Sequence, residues 1–131
     1  MASVEVKPVS GHKYKLDITA GQYTIVADQP TAVGGSGTGP DPKELLLAAL
    51  GACAAQTILM IAPQRNWDIK ELTVKVEVTK SGGQETYTEE VIVKGNLSQN
   101  ELDAIKRTAE RCPVMKAFTG SKTVNASITK T

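Results

Sequence analysis

Two side chains in this sequence have the type and setting for covalent redox chemistry, Cys53 and Cys112. Cys53 stands among Ala49, Gly51, Ala52 and Ala54, small residues that leave room for a ligand, with the polar pair Gln56 and Thr57 one turn on. Cys112 closes a second helical pattern just before Pro113, where a small motion brings it in or out. One buried thiol and one at a helix end is what a peroxide-reducing dithiol needs. One thiolate attacks and becomes a sulfenic acid, and the other condenses with it to a disulfide. The competing reading is plain packing, because a free cysteine is among the most buried residue types and behaves as a small hydrophobe. The helix dipole gives Cys53 no help, since it acidifies a thiol only within the first turn or so.

Other chemistries find less support. The single histidine, His12, sits beside Gly11 at a strand entry and reads as a solvated turn residue. With two cysteines about sixty residues apart, it makes no metal-ligand cluster of any usual spacing. A Ser–His–Asp hydrolase would need that histidine at its centre together with a nucleophile elbow, which the chain lacks. Gly34-Gly35-Ser36-Gly37-Thr38-Gly39-Pro40 resembles a dinucleotide fingerprint only loosely. The third glycine is misplaced, the Lys-Ser/Thr of a P-loop is missing, and so is the βαβ alternation. The stretch reads as a flexible connection or lid. Fifteen Lys plus Arg against fourteen Asp plus Glu leave a net charge of +1, with Arg65, Arg107 and Arg111 the only arginines. No basic field recruits nucleic acid at that balance.

The elements that must position the thiols follow from periodicity. The first forty residues read as a meander: Val4 and Val6, then Tyr14, Leu16 and Ile18, then Tyr23 and Ile25, each alternating with polar neighbours and with Gly21-Gln22 as a turn. A loop over residues 28–42 ends in Asp41-Pro42, a good helix start with Asp as N-cap and Pro at the first position. The helix then runs to about Ala62, where Pro63 stops it. Leu72, Val74, Val76 and Val78 alternate along a strand, Ser81-Gly82-Gly83-Gln84 turns the chain, and Tyr87–Lys94 returns as its hairpin partner, ended by Gly95. Ser98 and Glu101 form a capping box opening a second helix, with Leu102, Ile105, Ala109 and Cys112 on its buried stripe. A short turn follows through Phe118, and Val124, Ala126 and Ile128 suggest a last strand. The sum is an α+β fold with antiparallel strands, in one domain over residues 1–131.

Leu45 to Ala62 is eighteen residues without a charge, the length at which a membrane span becomes possible. Its alanine content, Gly51, Gln56 and Thr57 weaken the transfer free energy, and its flanks show no one-sided excess of Lys and Arg. The expectation is therefore no membrane association. A helix apolar all round is a buried central helix or one buried against a partner subunit. The start, Met1-Ala-Ser-Val-Glu-Val-Lys, has no signal-peptide pattern, and two cysteines are too few for a secreted disulfide scaffold. The expected compartment is a reducing cytoplasm.

Taken together, Gly39-Pro-Asp-Pro-Lys-Glu-Leu-Leu-Leu-Ala-Ala-Leu-Gly-Ala-Cys53, Gly95-Asn-Leu-Ser98 and Ala109-Glu-Arg-Cys112-Pro113-Val114 resemble the OsmC/Ohr family, the osmotically inducible and organic hydroperoxide resistance proteins. The order of elements matches across nearly the whole chain. The resemblance implies an intertwined α+β homodimer with long central helices and active sites at the subunit interface. It implies thiol-dependent reduction of organic hydroperoxides, with Cys53 peroxidatic and Cys112 resolving, without haem, flavin, metal or other cofactor, and with a dithiol such as a lipoylated protein as reductant. Bulky organic hydroperoxides would suit the apolar walls offered by Leu46, Leu50, Ile58 and Met60.

The best-studied members pair the reactive cysteine with a glutamate ten residues before it and an arginine from the N-terminal region. Here Lys43 stands at ten and Glu44 at nine, and the first sixty residues hold no arginine. At about 100° per residue, Glu44 lies about 180° and Lys43 about 80° from Cys53 around the helix. Lys43 and Glu44 are nonetheless the candidates for stabilising a thiolate, against the reading that both are a solvated first turn. Two further readings share the fold: a non-enzymatic module binding a small apolar ligand, and a redox sensor that oxidises once.

Overall fold

The computed structural model describes residues 2–131. The chain divides into two compact units, one up to Ala48 and the other from Ala49 onward.

In the first unit β1 (Glu5–Pro8), β2 (Leu16–Ala20) and β3 (Tyr23–Ala27) form an antiparallel sheet in that order, with Val6, Ile18 and Ile25 in register. Gly21 takes a left-handed φ of 62° at the turn between the paired residues Ala20 and Tyr23. Tyr14 falls before β2 instead of within it, with the Lys13 ammonium 5.3 Å from its ring.

The glycine-rich segment that follows is folded tightly on Asp28, whose side chain is 1 % exposed. Its carboxylate accepts from the Thr38 hydroxyl (2.7 Å) and from the backbone N–H groups of Gln29 (2.7 Å), Thr38 (3.1 Å) and Ser36 (3.4 Å). Any Cβ at Gly35 would run into the Gln29 carbonyl. A short 3₁₀ turn over Thr31–Val33 completes the loop. The Thr38 hydroxyl and then the backbone donors, against the opposing effect of desolvation, bring the Asp28 pKa from 3.8 down to about 2. A depressed carboxylate stabilises the fold above pH 3.8, and that contribution disappears as pH falls toward 2. Asp28→Asn should lower the melting temperature by roughly 5 °C at neutral pH. In melts followed by circular dichroism the gap to the wild type should narrow steadily below pH 3.8. A gap independent of pH would mean that the charge is irrelevant.

The helix α1 (Pro42–Arg65) begins where Asp41-Pro42 indicates. Asp41 and Glu44 cap it reciprocally: the Asp41 N–H donates to Glu44 Oε1 (3.0 Å) and the Glu44 N–H to Asp41 Oδ1 (2.8 Å). It does not stop at Pro63. That proline lies in the last turn, where its missing N–H removes one helical bond, and the helix continues to Arg65. Termination comes from Asn66 at φ 55°, with Trp67 N–H bonded to the Ala62 carbonyl (3.0 Å) and Asn66 N–H to that of Pro63 (3.4 Å). This is a Schellman end with asparagine as the left-handed residue, and Trp67 packs in the same cluster as Ala62.

In the second unit β4 (Asp68–Ser81) and β5 (Gln84–Asn96) make a long antiparallel hairpin, with a register irregularity between Ile69 and Glu71. Gly82 and Gly83, at φ 59° and 83°, supply the left-handed pair that a two-residue turn requires. Gly95 lies inside β5 instead of ending it; a Cβ there would strike the Asp68 carbonyl. The helix α2 (Gln99–Glu110) opens with the Ser98–Glu101 capping box and buries Ile105 and Ala109. A stripe of α1, Leu50, Ala54, Ile58 and Ala62, is buried, and its last three members share one core with Trp67, Ile105 and Ala109. Half-buried Leu72, Val74, Val91 and Val93 floor that core. Outside the stripe α1 stays open in the single chain, with Leu59 and Met60 53 % and 68 % exposed.

Two further expectations need correction. Residues 113–119 form a helix, α3 (Pro113–Thr119), not a turn, with Pro113 at the N-terminal position that tolerates proline. The last strand is absent: residues 120–131 take no regular structure, and Val124 and Ile128 are 87 % and 97 % exposed. Alternation by itself supplies no pairing edge, and without one these residues have nothing to be buried against.

Candidate functional site: a pair of neighbouring thiols

Cys53 sits on α1 between the buried residues Leu50 and Ala54, and is itself half-buried. Gly51 lets the helix close on the hairpin: a Cβ there would lie 3.1 Å from the Val76 methyl. Thr57 donates its hydroxyl to the Cys53 carbonyl (2.7 Å), so that polar residue is a backbone contact of the cysteine's own turn.

Cys112 follows α2 and forms the N-cap of α3. It is fully buried, and its sulfur accepts from the Met115 N–H (3.4 Å). The fold makes the two cysteines neighbours, close enough for Cys53 to act on the Cys112 thiol, and both are free thiols. Burial pushes the Cys112 thiol above its ordinary value. The Met115 N–H opposes this, while the neighbouring Cys53 and Glu89 add to it. Cys112 is therefore a protonated, hidden thiol at neutral pH, and Cys53 is the one solvent reaches.

A cavity of about 110 Å³ lies near the pair, lined by neighbours of both cysteines but by neither cysteine itself. Leu50 and Met115 are three residues from Cys53 and Cys112 respectively, and both line it, with Val76, Tyr87 and Phe118 as further apolar wall. Tyr87 and Phe118 meet edge to face, ring centres 4.7 Å apart at 72°. Of the four walls expected from the sequence, Leu50 lines this cavity and Leu46 does not, whereas Ile58 belongs to the core and Met60 faces outward. A larger groove of about 780 Å³ runs between β5 and α2.

Lys43 and Glu44 occupy the first turn of α1, where the Glu44 carboxylate holds the Asp41 N–H. His12 Nδ1 pairs with the Ser36 hydroxyl (2.9 Å). Among the described residues, no three His, Cys, Asp or Glu side chains are grouped to hold a metal ion.

Glu89 belongs to this site as well, and sequence reasoning passed over it. On the half-buried face of the hairpin, Leu72 pairs with Val93, Val74 with Val91 and Val78 with Tyr87, but Val76 pairs with Glu89. A carboxylate in an apolar register is the signal that could have found it. Its Oε2 is buried and meets no hydrogen-bond donor among the described residues. Burial, and then the charge of Glu110, raise its pKa above the ordinary value.

A chain from Mycoplasma pneumoniae described as an OsmC like protein superimposes with a TM-score of 0.76 at 20 % identity, covering 92 % of this chain and 88 % of that one. A Legionella pneumophila organic hydroperoxide resistance protein OsmC gives 0.65 at 22 %, covering 92 % and 90 %. The organic hydroperoxide resistance protein OhrB of Bacillus subtilis gives 0.59 at 24 %, covering 92 % and 91 %. At these identities the likeness is one of fold. No curated sequence matches. The sequence itself matches the family model for OsmC-like protein over residues 35–127. That match spans well over half of the chain, both cysteines included, and the chain belongs to the OsmC-like protein family.

Proposed function

We propose that this chain is a thiol-dependent peroxidase that reduces organic hydroperoxides. The observation that carries the reading is a solvent-reachable thiol with a fully buried one as its neighbour. The Cys53 thiolate attacks the distal peroxide oxygen, the O–O bond breaks, and the alkoxide leaves as an alcohol after taking a proton. The sulfenic acid on Cys53 then meets the Cys112 thiol; a disulfide forms and water departs. An external dithiol, such as a lipoylated protein, reduces the disulfide by exchange. The order of roles follows from exposure and protonation, because a buried thiol held in its neutral form is a poor first nucleophile.

The apolar wall of Leu50, Val76, Tyr87, Met115 and Phe118 favours an organic substituent over hydrogen peroxide. The reading includes a homodimer, supported by the exposed apolar side of α1 at Leu59 and Met60, and a cytoplasmic location, supported by the two free thiols.

Reduced protein mixed with cumene hydroperoxide should lose two protons in mass as the disulfide closes. The same oxidation with hydrogen peroxide should be at least about tenfold slower. Intact mass spectrometry against time reads both. Slow, equal oxidation by the two peroxides would overturn the reading.

A further inference from the structure

Glu89 is a half-buried acid, with one carboxylate oxygen fully buried, placed where the proposed chemistry has to move a proton. It interrupts the apolar register of β5 opposite Val76, the residue on which Gly51 of α1 closes. With Met115 it lines both the small cavity near the thiols and the larger groove along α2. The Met115 N–H is the group bonded to the Cys112 sulfur. The buried Oε2 has no donor of its own among the described residues. A buried carboxylate oxygen without a hydrogen bond costs stability, and a purely structural role for Glu89 has no compensating contact at that atom.

We propose that Glu89 is the proton acceptor for Cys112 in disulfide closure, an inference that rests on the peroxidase reading for its physiological setting. In that step the S–S bond forms between the two sulfurs and the S–O bond of the Cys53 sulfenic acid breaks. The Cys112 sulfur is oxidised and the Cys53 sulfur reduced. The Cys112 proton passes to the Glu89 carboxylate and on to the departing hydroxide, which leaves as water. Burial first, with the neighbouring Cys53 and a smaller contribution from this carboxylate while ionised, keeps the resting Cys112 protonated, so the thiol is unreactive until the sulfenic acid is in place. Burial and Glu110 raise the affinity of Glu89 for a proton, which brings it nearer the working range of a general base. The other titratable or charged groups around it are Asp103, Lys106 and Glu110 on α2, Glu77 on β4, and Tyr87 and Glu90 on β5.

The test compares wild-type protein with Glu89→Gln after a single equivalent of cumene hydroperoxide. Dimedone traps the sulfenic acid, and mass spectrometry counts the disulfide. Closure should slow by at least about tenfold relative to sulfenic acid formation measured in the same samples, so that the trapped adduct accumulates. Closure within about twofold of the wild type overturns the proposal. Diamide separates it from the peroxidase reading. That reagent oxidises Cys53 without any peroxide, and closure onto the resulting adduct needs the same Cys112 proton removed. If hydroperoxide leaves the wild type untouched, the function falls, yet closure after diamide still decides the role of Glu89 by the same two thresholds.

The wild type carries a test that needs no variant. With Glu89 as base, closure should change by less than about threefold between roughly pH 6 and 8. A fall of about tenfold per pH unit, the behaviour of a thiol that must first ionise in solvent, sinks the idea.

Discussion

Cys53→Ser should abolish hydroperoxide-dependent oxidation, a loss of at least about a thousandfold in rate under any peroxide. Serine keeps the size of the side chain and removes the only atom able to accept the peroxide oxygen. Cys112 cannot take over, being fully buried and held in its protonated form by desolvation. Cys112→Ser should behave differently: the first oxidation proceeds at close to the wild-type rate and halts at the sulfenic acid, since no second thiol condenses with it. Intact mass after a peroxide pulse distinguishes an unmodified chain, a one-oxygen adduct and a disulfide. Turnover by the Cys53→Ser chain, or disulfide formation by either variant within a single chain, would reject the assignment of roles.

The largest effect on stability should come from Ile58→Ala, which removes about 2–5 kcal/mol. Ile58 is wholly buried at the meeting of α1, the hairpin and α2, in one cluster with Ala54, Ala62, Trp67, Ile105 and Ala109. Three of those five neighbours are alanines with no freedom to rotate into the space, so the cavity would persist. Urea unfolding should show a lower midpoint with an unchanged slope. A loss below about 1 kcal/mol would place the centre of the core elsewhere.

Local signals account for what the sequence made legible. Asp41-Pro42, Ser98 with Glu101, and Gly82-Gly83 are each read from neighbours only a few positions away, and each marks a structural boundary. The α+β architecture followed from the two periodicities. The settings of Cys53 and Cys112 suggested a dithiol and the family resemblance supplied their roles, but no helix pattern shows that positions 59 apart become neighbours. What escaped depended on tertiary context. Pro63 is tolerated because Asn66 and Trp67 end the helix two residues later. Val124 and Ile128 alternate as a strand would, but nothing pairs with them. Asp28 reads as one more polar loop residue until four donors converge on it. Glu89 reads as half of a charged Glu-Glu pair until the register turns one of them inward.

In the proposed cycle the sulfur of Cys112 has two jobs, as a reagent and as the acceptor that starts α3. Acceptor duty at a helix start is performed at least as well by a hydroxyl, and serine is among the preferred residues there. Exchanging one sulfur for one oxygen thus subtracts the second thiol and leaves α3 its beginning. Architecture and reactivity are separable at this position by a single atom, so a lineage could gain or shed the two-thiol cycle here without rebuilding the fold around it.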